Sequence, residues 1–222
     1  EGYAGVYHAG GTNGIRRDST ANARQGTVFG DVAAAPGTCA GGDAFDGSYD
    51  YVEIPSTFGL FNGTVPVTVE FWFRADRVAP GTNYQTSPVL FQGRGEHSWM
   101  ATFGDYAPAN AVSIRLEQNG WATPTTVGPI LTNRWYHYAT VYAPSGANNW
   151  KTFLDGALAG QGTRTGAVKT ELDKNAYGGN AGEVARWFAG TMDEVRISSV
   201  TRSSNWLWAT WLNLVSIAAF VA

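Results

Sequence analysis

The sequence predicts an all-β protein built as a two-sheet antiparallel β-sandwich with a short C-terminal helix. Glycine is abundant, with 28 residues in 222, while only 15% of the residues are charged. Short runs in which apolar and polar residues alternate recur along the chain, and turn residues separate them. Many strands joined by frequent turns would produce this profile. The stretch from Arg202 to Leu214 instead favours a short amphipathic helix that packs onto the sandwich.

The first predicted strands lie before residue 60. Val6-Tyr7-His8 indicates an edge strand. Asp18 to Asn22 then predicts a turn, because Asp, Ser, Thr and Asn side chains bond their own backbone. A longer strand is predicted from Phe45 to Ile54, and we expect Phe45 and Tyr51 to face the core.

The segment from Val67 to Arg74 predicts a strand with two distinct faces. Because alternate residues of a strand share a face, its valines and phenylalanines form a core row. Glu70, Trp72 and Arg74 then lie side by side on the opposite face. An acid, an indole and a guanidinium in a row suit sugar recognition. Cross-strand pairs on a covered or wet sheet face would give the same pattern.

Further strands are predicted at Val89–Gln92, Ser98–Phe103 and Val112–Leu116, the last ending in a hairpin turn at Asn119-Gly120. Trp135 to Tyr142 follows as another strand. Its tyrosines share one face, where their hydroxyls stay available to a ligand. On the other face we expect His137 to lie in a core row, and Trp150 to Leu154 returns as the partner strand.

The most informative stretch is the closing strand from Trp187 to Ile197. Strict alternation places Asp193 on the core side with Val195 and Ile197, and turns Glu194 and Arg196 outward. A carboxylate on a core face is costly unless N–H donors or a cation compensate it. Asp193 therefore needs a partner.

Four segments carry a resemblance to a known family. They are Asp43–Val52, Val67–Phe73, Trp135–Gly156 and Gly190–Ile197. In this order they resemble strands of the laminin-G-like, concanavalin A-like jelly-roll domains found in bacterial exported multidomain proteins. The resemblance covers roughly residues 5–213. It implies a single domain over residues 1–222, with a core at about 5–213 and a C-terminal tail at 214–222. The fold serves binding modules, adhesins and enzymes alike.

The resemblance also implies a calcium ion as the cofactor. Such domains hold calcium with backbone carbonyls and with Asp or Asn side chains, and oxygen ligands suit this hard cation. The matching acids are Asp46 and Asp193, and Asp18 and Asn22 of the early turn are further candidates. A second role for Asp193 stays open, namely to accept N–H bonds from the backbone or from Trp135.

Surplus aromatic residues provide candidates for stacking on sugar rings. Several lie in or beside loops, which commonly carry function at the rims of a sandwich. For any single tryptophan, packing in the core is the alternative. The candidate ligand-binding residues are Glu70, Trp72, Arg74, Tyr84, Trp99, Tyr106, Trp121, Tyr136 and Tyr138.

Charge and motifs exclude several functions. The net charge is −3 with no basic cluster, so the sequence carries no electrostatic footprint for nucleic acid or for an anionic membrane. Cys39 is the single cysteine, which rules out an internal disulfide. The sequence contains no zinc, phosphate or serine-nucleophile motif. Asp193 and Glu194 are neighbours on a strand, so they cannot form the facing carboxylate pair of a glycosidase.

We therefore expect a non-catalytic carbohydrate-binding or lectin-like module, excised from an exported or cell-surface protein of a bacterium. Its partner would be a carbohydrate or cell-surface glycan. A structural or adhesive module of a surface assembly is the alternative, because the apolar tail from Ile217 to Val221 could add to a neighbour's sheet edge. A polysaccharide hydrolase or lyase using Glu70, Glu117 or Glu194 is the weakest hypothesis. The tail is too short to insert into a membrane.

Overall fold

The computed structural model describes residues 2–11, 13–39, 41–55, 59–78, 87–93, 99–104, 108, 110–116, 125–164, 175–181 and 186–215. This part of the chain forms sixteen strands and one helix in two antiparallel sheets, which confirms the predicted β-sandwich. The first eight strands are β1 Tyr3–Tyr7, β2 Ile15–Arg16, β3 Gly26–Phe29, β4 Ala33–Ala35, β5 Gly42–Asp46, β6 Tyr51–Ile54, β7 Val67–Ala75 and β8 Val89–Gly93. The rest are β9 Trp99–Phe103, β10 Val112–Leu116, β11 Thr125–Val127, β12 Trp135–Tyr142, β13 Trp150–Leu154, β14 Ala157–Gly162, β15 Asn175–Tyr177, β16 Ala189–Ser198 and the helix α1 Ser204–Val215.

Each sheet contains eight strands. Sheet I has the order β14-β13-β12-β7-β16-β5-β4, and β1 also pairs with β16. Sheet II has the order β11-β10-β9-β8-β15-β6-β3-β2. Some neighbours are consecutive strands, whereas others, such as β7 with β16 and β15 with β6, are distant in sequence because the chain passes repeatedly between the two sheets.

The core lies between the inner faces of the two sheets. Its buried members include Val69, Phe71 and Phe73 of β7, which confirms the core row predicted for this strand. Val52 and Phe91 face them from sheet II. A second, smaller cluster lies on the outer face of sheet I, where Leu207 of α1 packs on residues of β12 and β13.

The predicted strand from Phe45 to Ile54 is divided in two by a turn. Phe45 is buried in the core as expected. Tyr51 is only half-buried and lies outside the core, so its predicted inward orientation is wrong. Val52 and Ile54 take the inward positions of β6 instead. The turn at Gly47–Asp50 interrupts the alternation on which the prediction rested.

The two faces of β12 are the reverse of those predicted. Tyr138 lies opposite Phe71 and Tyr136 opposite Phe73, so the tyrosines point into the core. His137 lies opposite Trp72 on the outer face, and Ala139 packs under α1. Aromatic area, rather than hydroxyl polarity, decides which face is buried.

A β-bulge in β16 changes the orientation of Asp193. Asp193 pairs with Trp72 and Arg196 pairs with Glu70, so two residues of β16 stand opposite one residue of β7. Glu194 in the bulge has a φ of 53°. Asp193 therefore lies on the outer face with Trp72, and its predicted place beside Val195 and Ile197 is wrong.

Helix α1 begins at Ser204, two residues after the predicted start. The Ser203 hydroxyl accepts the backbone N–H of Trp206, which caps the first turn. Leu207 is the buried residue of the helix. Within the described residues, no helix combines the length and apolarity needed to cross a membrane.

Candidate functional site

The predicted groove on the outer face of sheet I is not an open surface. Glu70 and Trp72 are only 1% and 3% exposed. Arg74 is half-buried, with its guanidinium 5.8 Å from the centre of the Trp135 ring. The prediction that these three side chains form an accessible sugar groove is therefore wrong for Glu70 and Trp72. They lie on β7 at the centre of sheet I, between β12 and β16.

Buried charges occupy this face instead. The Glu70 Oε2 atom lies 3.3 Å from Nε2 of His137, close enough for an ion pair but without hydrogen-bond geometry. Arg196 donates from Nε to Glu194 at 3.2 Å, and His8 contacts the same carboxylate. Burial opposes the charge on Arg196, but Glu70 and Glu194 outweigh it and raise the pKa of its guanidinium. Arg196 thus offsets part of the charge of these buried carboxylates, while both Glu70 oxygens lack a hydrogen-bond partner.

The predicted aromatic candidates that the structure describes belong to the core. Trp99 is fully buried, with its ring 4.7 Å from that of Trp150. Tyr138 is also fully buried and stacks on Phe71, and burial raises the pKa of its hydroxyl well above the usual value. Tyr136 is 3% exposed. None of the three can stack on a ligand from solvent, so these predictions are wrong. The candidates Tyr84, Tyr106 and Trp121 lie outside the described residues.

Asp193 is held by hydrogen-bond donors. Its Oδ2 accepts the backbone N–H groups of Thr38 and Cys39, both at 2.9 Å, and the Thr38 hydroxyl. Its Oδ1 accepts the N–H of Glu194 at 2.8 Å. Burial raises the pKa of Asp193, and these donors counteract that rise. An oxygen pair surrounded by N–H groups does not fit a cation, because the donors already supply positive charge.

Asp18 has the same character. Its two carboxylate oxygens accept the backbone N–H groups of Val6, Thr20 and Arg24 at 2.9–3.0 Å, together with the Thr20 hydroxyl. Asn22 is exposed and donates to the carbonyl of Ala4. This set organises a turn and likewise does not fit calcium.

Asp46 is the remaining metal candidate. It is exposed, and its Oδ1 accepts the backbone N–H of Ser48. Among the residues that the structure describes, no three His, Cys, Asp or Glu side chains cluster closely enough to hold a metal ion. Calcium binding at Asp46 stays a prediction.

The outer face of sheet II carries a set of aromatic rings that the sequence analysis did not select. We name Phe29, Tyr49, Tyr51 and Trp187 the aromatic platform. Phe29 and Tyr51 stack with ring centres 4.7 Å apart and an interplanar angle of 8°. Tyr51 and Trp187 are also nearly parallel, at 6.0 Å and 12°, and Tyr49 contacts Trp187 at 5.2 Å. Tyr49 is 63% exposed and Phe29 39%, so the platform is open to solvent.

The turn between β5 and β6 positions the platform through Asp50. This buried carboxylate accepts the backbone N–H of Asp31 at 2.7 Å and that of Asp46 at 3.0 Å. It thereby joins the turn that presents Tyr49 to the chain that follows Phe29. Burial raises the pKa of Asp50, and the two N–H donors lower it. Asp50 fixes the relative position of the rings.

Beside the platform, the same face of sheet II continues as a row of directly paired residues. Glu53 pairs with Ala176, Ala176 with Gln92, and Gln92 with Met100. Arg186 lies over this row, with Nη1 3.9 Å from the Met100 sulfur. This row is closed to solvent, because Gln92, Ala176 and Arg186 are completely buried, so only the aromatic platform is open on this part of the face.

A local signal could have found part of this site. Tyr49 and Tyr51 lie inside the Asp43–Val52 segment that carries the family resemblance. Once Val52 and Ile54 are assigned to the core, alternation places Tyr51 outward. No local pattern connects Phe29 or Trp187 to them, because long-range strand pairing brings these rings together.

The comparisons with known proteins establish the family. Residues 46–207 match Laminin_G_3, described as the concanavalin A-like lectin/glucanases superfamily. The chain belongs to this family. No sequence match is found among curated proteins.

Solved structures share the fold at low sequence identity. Domain 4 of AbnA, an extracellular GH43 arabinanase from Geobacillus stearothermophilus solved with arabinotriose, aligns with a TM-score of 0.70 at 19% identity, covering 94% of this chain and 97% of that one. The binding domain of Paraclostridial Mosquitocidal Protein 1 aligns at 0.72 and 11%, covering 94% and 52%. The botulinum neurotoxin serotype D ligand-binding domain, solved with N-acetylneuraminic acid, aligns at 0.69 and 12%, covering 96% and 51%. The chain therefore spans about half the length of the two toxin domains.

Proposed function

We propose that this domain is a non-catalytic carbohydrate-binding module of an exported or cell-surface protein. The observation that carries the proposal is the exposed aromatic platform on sheet II. Sugar rings present C–H groups that pack on the π face of an aromatic side chain, whose electron-rich surface attracts them. Two of the similar structures were solved with carbohydrates, and one belongs to an extracellular enzyme. These similarities favour a carbohydrate ligand and an extracellular location for this domain.

The burial and the position of the candidate acids also favour a binding role over catalysis. Glu70 and Glu194 are buried on sheet I around Arg196, away from the aromatic platform. A glycosidase needs two carboxylates facing each other across a bound sugar. Glu117, the third acid considered from the sequence, lies outside the described residues.

The direct test is affinity electrophoresis through gels that contain neutral polysaccharides, with arabinan first. The wild-type protein should be retarded. Trp187→Ala should weaken binding at least about tenfold, as expected when a central aromatic contact is removed. Trp208→Ala is the matched control, because Trp208 is an exposed tryptophan of α1 far from the platform in the chain. Equal loss in both variants, or no retardation by any glycan, would contradict the proposal.

A protein-binding role in a surface assembly is the second candidate, and one observation favours it. Helix α1 contains no charged residue, and Trp206, Trp208 and Val215 are 40%, 51% and 55% exposed. Apolar surface of this kind often marks a contact with another protein. Light scattering should then show association that Trp208→Ala, or removal of residues 216–222, abolishes. A monomer in all forms and at all concentrations would reject this candidate.

A further inference from the structure

A groove of about 460 Å³ lies on the outer face of sheet I, beside the start of α1. Its base contains Val141 of β12 together with Lys151 and Phe153 of β13. Val141 and Lys151 are directly paired, and Phe153 is two residues further along, so all three side chains share this face. The loop between β12 and β13 forms one wall, and residues 201–204 form the other. The groove has the size of a small-molecule site, for which about 300–1,000 Å³ is usual.

The groove lies apart from the buried charges of sheet I. Val141 is four residues beyond His137 in β12, which is roughly 13 Å along the strand. Glu70 and His137 are buried, whereas Ser145 and Ser203 on the two walls of the groove are exposed. A ligand can therefore enter the groove from solution.

The side chain of Asn149 fixes the loop that forms the first wall. Its Nδ2 donates to the carbonyl groups of Ala143 at 2.8 Å and Arg164 at 2.7 Å, and its Oδ1 accepts the N–H of Arg164 at 2.8 Å. The backbone N–H of Ala143 also donates to the carbonyl of Asn149 at 2.8 Å. The loop is therefore closed on itself and joined to the chain that follows β14.

The side chain of Thr68 fixes the second wall. Its hydroxyl donates to the carbonyl of Val200 at 2.8 Å and accepts the backbone N–H of Arg202 at 3.0 Å. The Arg202 guanidinium lies over the rings of Tyr3 and Trp206, 4.6 Å and 4.3 Å from their centres. Because hydrogen bonds hold both walls in place, little of the protein needs to be ordered when a ligand binds.

The groove is positively charged, although the protein as a whole has a net charge of −3. Lys151 and Arg202 both line it. The sequence has no Asp or Glu in residues 139–154 or 198–215, from which every lining residue comes. Within the described part of the chain, the Lys151 ammonium makes neither a hydrogen bond nor an ion pair. The groove therefore suits a ligand of negative charge.

The walls around Lys151 are neutral and carry hydrogen-bonding groups. They expose the hydroxyls of Ser145, Thr201 and Ser203 and the amide of Asn148. Hydroxyl and amide groups both donate and accept, as the hydroxyl groups of a sugar do. One ammonium among such groups matches a ligand that combines one carboxylate with several hydroxyls.

We infer that this groove is a second binding site, which holds a uronate residue of an acidic polysaccharide. The Lys151 ammonium donates to the carboxylate, and the hydroxyls and the amide of the walls bond the sugar hydroxyl groups. The inference goes beyond the proposed function, because the groove and the aromatic platform lie on different sheets and differ in the charge of the ligand they suit.

The test titrates the isotopically labelled protein with trigalacturonate and follows the backbone amide resonances. We expect shifts at Asn148, Lys151 and Thr201, and none at Trp187. Lys151→Gln removes the charge and should weaken binding at least about tenfold, because a hydrogen bond to a charged group is lost. Arg77→Gln is the control, because Arg77 is exposed beyond the far end of β7 and its loss changes the net charge equally. That variant should bind as wild type does.

A second measurement changes the ligand instead of the protein. The methyl ester of trigalacturonate keeps the sugar rings and their hydroxyls but carries no charge. Wild type should bind the ester at least about tenfold more weakly than the acid, while Lys151→Gln should bind both alike. Full displacement of trigalacturonate by an equal concentration of acetate would overturn the inference, since the groove would then recognise a charge and not a sugar.

Three further results would also overturn it: equal binding of acid and ester by wild type, an equal loss in Lys151→Gln and Arg77→Gln, or shifts confined to the aromatic platform. All of them leave the proposed function standing, because arabinan binding at the platform is measured separately. If trigalacturonate binds in the groove while no neutral glycan binds the platform, the site proposed on sheet II is rejected and this inference stands.

Discussion

On the outer face of sheet I charged side chains are buried, whereas on the outer face of sheet II aromatic rings are exposed. On sheet I, Arg196 forms an ion pair with Glu194 and lies opposite Glu70. On sheet II, Tyr51 stacks between Phe29 and Trp187. The buried side chains of sheet I, such as Glu70 and Trp72, offer no surface to a ligand. The open rings of sheet II do offer such a surface, although both faces derive from the same alternation of residues.

The largest effect on stability is expected at Arg196, and it tests the role assigned to sheet I. Arg196→Met leaves Glu70 and Glu194 buried without their cation, which should lower the free energy of unfolding by about 3–5 kcal/mol. Glycan affinity of the folded fraction should not change. Urea denaturation and affinity electrophoresis measure the two quantities. A variant of unchanged stability that has lost glycan binding would move the binding site to sheet I.

A smaller loss of stability is expected at Asp193. Asp193→Asn presents an NH₂ group to the N–H donors of Thr38, Cys39 or Glu194, and should cost about 1–3 kcal/mol. Burial raises the folded-state pKa of Asp193 above its usual value of 3.8. Protonation of Asp193 therefore stabilises the fold fully below the unfolded-state pKa, and this stabilisation is lost as pH rises through the folded-state pKa.

The variant lacks this titration, so its deficit relative to wild type should narrow as pH rises above 3.8. Urea denaturation over that pH range measures the deficit. A deficit that widens with rising pH would mean that the donors, and not burial, dominate the pKa of Asp193.

Substitution of Tyr49 should weaken glycan binding while it leaves the stability of the fold nearly unchanged. Its φ of 69° suits glycine, so Tyr49→Gly should change the free energy of unfolding by less than about 1 kcal/mol. Loss of the ring should weaken glycan binding about twofold to tenfold, because an aromatic contact contributes roughly 0.5–1.5 kcal/mol. Asn148→Gly is the control, since Asn148 is exposed with a φ of 49° and lies outside the platform. If both variants bind alike, Tyr49 makes no contact with the glycan.

The smallest effect is expected from calcium. Asp18 and Asp193 are occupied by N–H donors, which leaves Asp46 as an exposed single carboxylate. A site this weak should raise the melting temperature by less than about 1 °C at millimolar calcium. A larger rise that Asp46→Asn abolishes would establish a calcium site that involves this residue.

The fold was predictable because strand patterns are local. The core row of β7 follows from alternation and the C-terminal helix from its amphipathic pattern, while four ordered segments that resemble the concanavalin A-like family indicate the two-sheet architecture. The bulge at Glu194 was not predictable in this way. One extra residue in β16 turns the Asp193 side chain to the opposite face of the sheet, and the neighbouring side chains give no indication of this bulge.

The candidate site was predictable only in part, for a related reason. Alternation separates the two faces of a strand but does not tell which face another element covers. Trp72 and Tyr51 are both aromatic residues outside the central core row, yet Trp72 is 3% exposed while Tyr51 is half-buried beside open rings.

Titration of the isotopically labelled protein with arabinotriose, followed by the backbone amide resonances, tests most directly that sheet II carries the binding site. We expect shifts at Phe29, Tyr49, Tyr51 and Trp187, with β7 and α1 unaffected. Shifts confined to β7, β12 and α1 would contradict this assignment and place the ligand on sheet I.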